Sequence, residues 1–179
     1  MGSLFKSTKA IDLLKQDHRD VEALFQQFEE AEEGARVALA QEICQALTVH
    51  AHIEEQVFYP SLRGRVDADL LDEALVEHTS LKELIAKLDG ANESDELFDA
   101  HVKVLEEYVK HHVKEEENEI MPKAKEAGID LEDLGDRIEA LKGQLEGKIA
   151  ELSAGAGDRV RVLNVDGRGV RHGERRGAH

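Results

Sequence analysis

The chain is poor in residues that cross-link, kink or stack: its 179 residues include one Cys, two Pro and no Trp. A single Cys excludes an internal disulfide framework and a zinc site built on several thiolates, and it is typical of a reducing compartment. No apolar run approaches the roughly 20 residues of a membrane span, and no signal-peptide hydrophobic region follows Met1. We therefore expect a cytoplasmic protein.

Positive charge is also scarce. Lys and Arg number 23 against 39 Asp and Glu, which gives a formal net charge of -16. Such a surface repels nucleic-acid phosphates and anionic membranes, so we expect neither as a partner. The 41% hydrophobic content argues against disorder and suits one domain with a buried core. Nine His is a high number that the overall composition does not explain.

Helical periodicity runs through most of the chain. Apolar residues recur every three or four positions in four long stretches, each of which predicts a helix. The stretches are residues 8–33, 35–59, 67–89 and 94–121. Asp67 and Ser94 are predicted as N-caps, and Pro60 and Pro122 as stop signals. Long helices with short connections predict an all-α fold, an up-down-up-down four-helix bundle.

Two further segments follow the bundle, which we assign to residues 8–123. Residues 124–153 are predicted to hold an extra C-terminal helix, from 131 to 152, which two internal Gly weaken. Residues 154–179 contain six Arg against three acidic residues, with several Gly. This composition predicts a flexible basic tail. A small hairpin, or a tail folded back on the acidic bundle, is the alternative.

The chain repeats itself with a period of 60 to 62 residues. Residues 50–60 and residues 112–122 both read His-x3-Glu-Glu-x4-Pro. Upstream of each lies a second match, in which Asp17-His18 corresponds to Glu77-His78. The repeat predicts two copies of a helix pair that fold against each other and bury their apolar faces.

Six polar residues of the repeat fall on the apolar stripes, where Leu or Ile would otherwise pack. They are His18, His50, Glu54, His78, His112 and Glu116. A His and a Glu four positions apart share one helix face, and a bundle brings all six to one level. Buried carboxylates are costly unless a cation neutralises them, and imidazole with carboxylate suits iron, manganese or zinc. We therefore predict a dinuclear site with bridging Glu and terminal His; a buried hydrogen-bond network without metal is the alternative.

The pattern Asp-His…His-x3-Glu-Glu-x4-Pro, with Glu for Asp in the second copy, resembles the hemerythrin-like family, or HHE cation-binding domain. The resemblance implies a four-helix bundle around two non-haem Fe ions bridged by oxo or hydroxo. It implies as metal ligands His18, His50, His78 and His112, with Glu54 and Glu116 bridging the irons. Because the family binds or reacts with peroxide, dioxygen or nitric oxide, we expect one of these as the partner. Peroxide and oxidative-stress chemistry, with catalase-like peroxide decomposition, is the expected function.

One departure from the family concerns the third helix. Oxygen-carrying hemerythrins have a fifth His there, one turn from the position of His78, and this chain has Ala74 and Lys82 at the two such positions. The expected centre therefore has one protein ligand fewer than the carriers. An open position favours reaction with an oxidant over reversible storage of dioxygen.

Four other residues have predicted positions relative to the centre. Glu22, one turn after His18, is a candidate for the open position. Tyr108 is predicted to point inward, where it would hydrogen-bond a bound peroxide or give up an electron. His101 is also predicted inward, but about 16 Å along the axis from His112, which is too far for the same centre. Cys44 is predicted to be a small buried hydrophobe.

Three alternative functions stay open. An iron- or oxygen-sensing protein would pass the occupancy of the site to a protein partner, with the basic tail as the readout. A reversible dioxygen carrier is disfavoured by the missing fifth His. A helical interaction module without metal would keep its function after replacement of His50 and His112 by Ala.

Overall fold

The computed structural model describes residues 7–153; the predicted basic tail and the first six residues lie outside the described residues. Seven α-helices follow one another in this part of the chain. They are α1 (Lys9–Glu30), α2 (Arg36–Ile53), α3 (Tyr59–Leu62), α4 (Ala68–Leu88), α5 (Phe98–Glu115), α6 (Met121–Glu126) and α7 (Leu131–Ser153). Two π-helical segments, Glu54–Phe58 and Glu116–Ile120, join α2 to α3 and α5 to α6 without a break. The predicted all-α bundle with an additional C-terminal helix is confirmed.

The buried apolar residues form two clusters at different levels of the bundle. On α1, Leu14 belongs to one cluster and Val21 to the other. The same division occurs on α5 and the π segment that follows it, where Val109 and Ile120 belong to different clusters. His18 lies between the two clusters, so a polar layer is enclosed by apolar packing above and below.

The two prolines do not end their helices, which corrects the predicted stop signals. Pro60 and Pro122 lie in the first turn of α3 and α6, directly after a π segment. Proline has no N–H to donate, and its ring clashes with the carbonyl four residues earlier. In the wider π turn the N–H of Tyr59 bonds the carbonyl of Glu54, five residues back, and Met121 does the same with Glu116. The helix therefore accommodates each proline and continues.

Helix starts follow the local side chains. Asp67 caps α4 as predicted, because its carboxylate accepts from the N–H of Asp69 at 3.1 Å. Ser94 does not cap α5, which begins at Phe98. The N–H of Ser94 instead donates to Asn92 Oδ1 at 2.9 Å, and this bond holds a turn that delays the helix.

Helix α7 packs along α1 and α2 on the outside of the bundle. Its Leu134, Ile138 and Leu145 are buried in the apolar cluster that also contains Leu14. Lys9 of α1 pairs with Asp136 and Glu139 at 2.5 and 2.8 Å. The predicted extra helix is therefore an integral layer.

Two general properties also follow from these residues. Cys44 is fully buried, and burial raises the pKa of its thiol to about 12, so it acts as a hydrophobic side chain.

Among residues 7–153, no helix combines the length and the apolar character that a membrane span requires.

We predict that Gly143→Ala and Gly147→Ala each raise the free energy of unfolding by up to about 1 kcal/mol. Both glycines are exposed within α7, and an added Cβ meets no atom within 4 Å. Gly135→Ala is the matched control, because its Cβ would lie 2.5 Å from Lys9 Cγ, where α7 approaches α1. Urea unfolding curves measure the change. Equal stabilisation by all three substitutions would contradict this account of α7 packing.

Candidate metal centre

The six polar residues singled out by the repeat lie together in the layer between the apolar clusters. None of them is more than 6% exposed. Their four imidazoles form two pairs. The Nε2 atoms of His18 and His50 are 3.1 Å apart, and those of His78 and His112 are also 3.1 Å apart.

The two buried carboxylates take different positions relative to these pairs. Glu54 spans both, because its Oε1 lies 3.0 Å from His50 Nε2 and its Oε2 lies 3.1 Å from His78 Nε2. Glu116 faces the first pair, with Oε2 at 3.2 Å from His18 Nε2. The potential ligand atoms therefore form two overlapping groups that share Glu54. This is the arrangement of two adjacent ion positions with one carboxylate between them.

Every imidazole also contacts a carboxylate through its Nδ1, on the side of the ring away from the centre. The sequence analysis did not predict these four contacts. The Nδ1···O distances lie between 2.7 and 3.3 Å. The pairs are His18 with Glu117, His50 with Asp17, His78 with Glu55 and His112 with Glu77. The signal was present in the repeat, because these carboxylates are the residue before the first His and the second Glu of His-x3-Glu-Glu. Such partners fix ring orientation and increase ligand basicity.

The donor atoms fit a pair of metal ions. Each Nδ1 lies against a carboxylate, which leaves each Nε2 as the ring nitrogen that faces the centre. Two Nε2 atoms 3.1 Å apart repel unless a proton or a metal ion lies between them. Among residues 7–153, Glu54 Oε1 and both oxygens of Glu116 are buried without a hydrogen-bond partner. Imidazole lone pairs and unpartnered carboxylate oxygens are the ligands that iron, manganese and zinc use.

The electrostatics of the cluster show how strongly these groups depend on one another. Burial lowers the pKa of His50, but the charge of Glu54 and the bond to Asp17 outweigh burial and raise this pKa to about 10. Burial raises the pKa of Glu54, but the charge of His50 and the other imidazoles close to the carboxylate outweigh burial and hold this pKa well below its usual range. Burial and the charge of Glu54 raise the pKa of Glu116 above its usual value. The two carboxylates therefore differ in their affinity for a proton as well as in their position.

Cationic side chains surround the outer carboxylates. Lys82 binds Glu55 at 2.6 Å, and Lys142 of α7 binds Asp17 at 2.5 Å. Lys82 occupies one of the two positions where the carriers have the fifth His, so here that position supports an outer carboxylate. The other position, Ala74, is buried and has no donor atom.

A tyrosine does reach the centre, but it is Tyr59 rather than Tyr108. The hydroxyl of Tyr59 donates to Glu54 Oε2 at 3.4 Å and lies 3.5 Å from His78 Nε2. Burial and the charges of both buried glutamates raise its pKa well above the usual value, so the phenol keeps its proton.

The inward positions predicted for Tyr108 and His101 need correction. Tyr108 is 49% exposed, and His101 is half-buried. Steps of three and four residues fit two neighbouring stripes on α5, and the stripe that contains Val102 and Val109 is the buried one. The stripe of apolar side chains is the one that faces the core, because an apolar side chain needs no hydrogen-bond partner when it is buried. Glu22 is exposed and lies outside both groups of ligand atoms.

A small pocket of about 20 Å³ opens beside the four imidazoles. Most of its remaining lining is apolar and includes Val21, Leu81, Ile85 and Val109. It has room for a molecule of about the size of water. The pocket therefore leaves room for one small molecule beside the ring nitrogens, and its other walls are mainly apolar.

A four-helix bundle that encloses four imidazoles and two carboxylates at one level defines a helical metal-binding protein. The family model described as Hemerythrin HHE cation binding domain matches residues 9–124, and the chain belongs to this family. A similar solved structure is an HHE cation-binding domain-containing protein from Mycobacterium kansasii. It is 24% identical, with a TM-score of 0.72 over 89% of this chain and 100% of that one. This likeness shows the fold.

A curated relative is named as a DNA nickase from Nostoc sp. (strain PCC 7120 / SAG 25.82 / UTEX 2576). It is 24% identical over 149 residues, which are 82% of this chain. The match spans 42% of the length of that relative.

We predict that Asp17→Asn weakens metal binding roughly 10- to 100-fold, because His50 loses the charged partner that orients its ring. Asp20→Asn is the matched control, since Asp20 lies on the same helix but is exposed. Competition of the metal-bound protein with a chromophoric chelator measures both affinities. Equal affinities in the two variants would show that the outer carboxylate has no such role.

Proposed function

We propose that this protein is a non-haem di-iron protein of hemerythrin type that reacts with peroxide, and that it decomposes peroxide during oxidative stress. The observation that supports this proposal is the pocket of about 20 Å³ beside the four imidazoles. Dioxygen and nitric oxide are small enough for the same pocket. We also infer a cytoplasmic location, on the single Cys.

The chain itself has three tasks in this chemistry. His18, His50, His78, His112, Glu54 and Glu116 hold the two irons, and the outer carboxylates fix the four rings. Two bound irons would supply a two-electron cycle between diferrous and diferric states, with one peroxide molecule as oxidant and a second peroxide molecule as reductant. Tyr59 donates its phenol proton to Glu54 and thereby holds that carboxylate at the edge of the centre. The apolar pocket walls keep bulk water away from the oxidant.

Two observations favour reaction over storage. Ala74 offers no donor atom, and Lys82 is engaged with Glu55, so no fifth imidazole completes the centre. An ion with a free position accepts an oxidant directly. Reversible dioxygen carriage is therefore not part of the proposal. DNA nicking, the activity named for the Nostoc relative, is not part of it either, since the net charge of -16 repels phosphates.

Iron or oxygen sensing is the second candidate, and one contact favours it. Lys142 of α7 binds Asp17, and Asp17 binds His50. These two contacts connect a metal ligand of the centre to α7, which lies on the outside of the bundle. Metal binding could therefore change the position of a helix that a partner can reach. In this candidate, removal of residues 154–179 abolishes partner binding, whereas a catalyst keeps its activity.

We expect two iron ions per chain in protein purified without a metal-binding tag, one beside each pair of imidazoles. His50→Ala and His112→Ala should lose most of this iron, and His101→Ala should keep it, because His101 lies away from the centre. Elemental analysis measures the content. Near-zero metal that ferrous iron does not restore would refute the di-iron centre. Stoichiometric zinc or manganese would retain the ligands and remove the oxidant chemistry.

We predict that Tyr59→Phe slows peroxide decay about fivefold, because Glu54 loses the hydrogen bond from the phenol, which is worth about 1 kcal/mol. Its iron content should not change, because the phenol is not needed to hold the ions. Tyr108→Phe removes the same hydroxyl from an exposed position and serves as the control. The rate of peroxide loss per iron, recorded at 240 nm, checks this. Equal rates in both variants would exclude Tyr59 from the reaction.

A further inference from the structure

A second group of metal-type donors lies on the surface, one layer outside the centre. It consists of Glu77 on α4 with His111 and Glu115 on α5, and its potential ligand atoms lie within 4.8 Å of one another. His111 Nε2 is 3.2 Å from Glu77 Oε1 and 3.3 Å from Glu115 Oε1. The His111 side chain is 62% exposed, so the group is open to ions from solvent.

The surface group opens into a cleft that leads inward. The cleft has a volume of about 50 Å³ and reaches His112 at its inner end. Five carboxylates line it, and the described residues place no Lys or Arg there. These are Glu73, Glu77, Glu115, Glu116 and Glu119. A concave wall of one charge sign concentrates cations.

The inner end of the cleft holds a group that requires a cation. Glu116 is 1% exposed, and both of its oxygens lack a hydrogen-bond partner. His18 Nε2 lies 3.2 Å from its Oε2. A buried carboxylate so placed is stabilised by a positive ion more than by any neutral neighbour. The cleft therefore connects exposed acidic groups to a buried acceptor of positive charge.

One side chain joins the two layers. Glu77 Oε2 lies 2.7 Å from His112 Nδ1, while its Oε1 faces His111. On the other side of the centre, the small pocket is walled mainly by Val, Leu and Ile, with Lys82 at its rim. That pocket offers a cation one carboxylate, Asp17, besides the four imidazoles, and it places the like charge of Lys82 beside them. The acidic cleft offers five carboxylates instead.

We propose that Glu77, His111 and Glu115 form a surface site for a divalent cation, and that metal passes from it through the acidic cleft to Glu116. The delivery role rests on the proposed metal centre, whereas the surface site itself does not. One imidazole and two carboxylates suit Fe²⁺ or Mn²⁺. Metal and oxidant thus reach the centre from opposite sides.

The test compares uptake of Fe²⁺ by metal-free protein under anaerobic conditions. The double variant His111→Ala/Glu115→Gln removes two ligands of the surface site and keeps Glu77, which holds His112. We expect it to take up iron roughly tenfold more slowly than the unchanged chain and to reach the same final content. The difference should shrink at high salt, because screening weakens the attraction of the cleft. His101→Ala/Glu107→Gln, on the same helix but outside the cleft, should load at the normal rate.

A second measurement separates this inference from the proposed function. Mn²⁺ titration followed by electron paramagnetic resonance should reveal one weak site in the unchanged chain that the double variant lacks. Equal uptake rates and equal weak Mn²⁺ binding in the two chains would overturn the surface site. Failure of the di-iron centre has a different signature, namely no tightly held metal in either chain while the weak Mn²⁺ site persists.

Discussion

Imidazole nitrogens that face each other across 3.1 Å are the constraint on which this structure depends. They are held there because each ring contacts a carboxylate through its Nδ1, and three of these carboxylates in turn pair with Lys82, Lys142 and Lys15. From the centre outward, an imidazole Nε2 is followed by the ring, then by the carboxylate that contacts its Nδ1, and then, for three of the four, by a lysine that pairs with the carboxylate. Apolar clusters above and below keep water out, so the charge balance must be completed within this layer.

The two copies of the repeat are not fully equivalent, and the residues that differ between them lie at the metal centre. Tyr59 follows the first π segment and Met121 follows the second, so only one half presents a hydroxyl. Glu54 spans both pairs of imidazoles, while Glu116 faces the first pair. Two ions bound in this layer would therefore have different surroundings.

The periodicity of the chain predicted the bundle. It also predicted that six polar residues lie at one level, where the structure places them, because ionisable side chains are rare on an apolar stripe and here the pattern occurs twice. Tyr59 escaped prediction for a geometric reason. In an α-helix a residue five positions after Glu54 points away from it, and only the π turn brings it back over the carboxylate. Tyr108 was misplaced because two stripes on α5 fit the same spacing, and only packing against Val102 and Val109 decides between them.

The carboxylates cross between the two copies of the repeat. Glu55 of the first copy holds His78 of the second, and Glu117 of the second holds His18 of the first. Neither copy can complete the layer alone, yet two copies related by a two-fold axis reproduce every crossing contact. In this sense the molecule is a covalently linked dimer of helix pairs, and residues 63–67 are the link. Its metal layer is a subunit interface that the chain carries within itself.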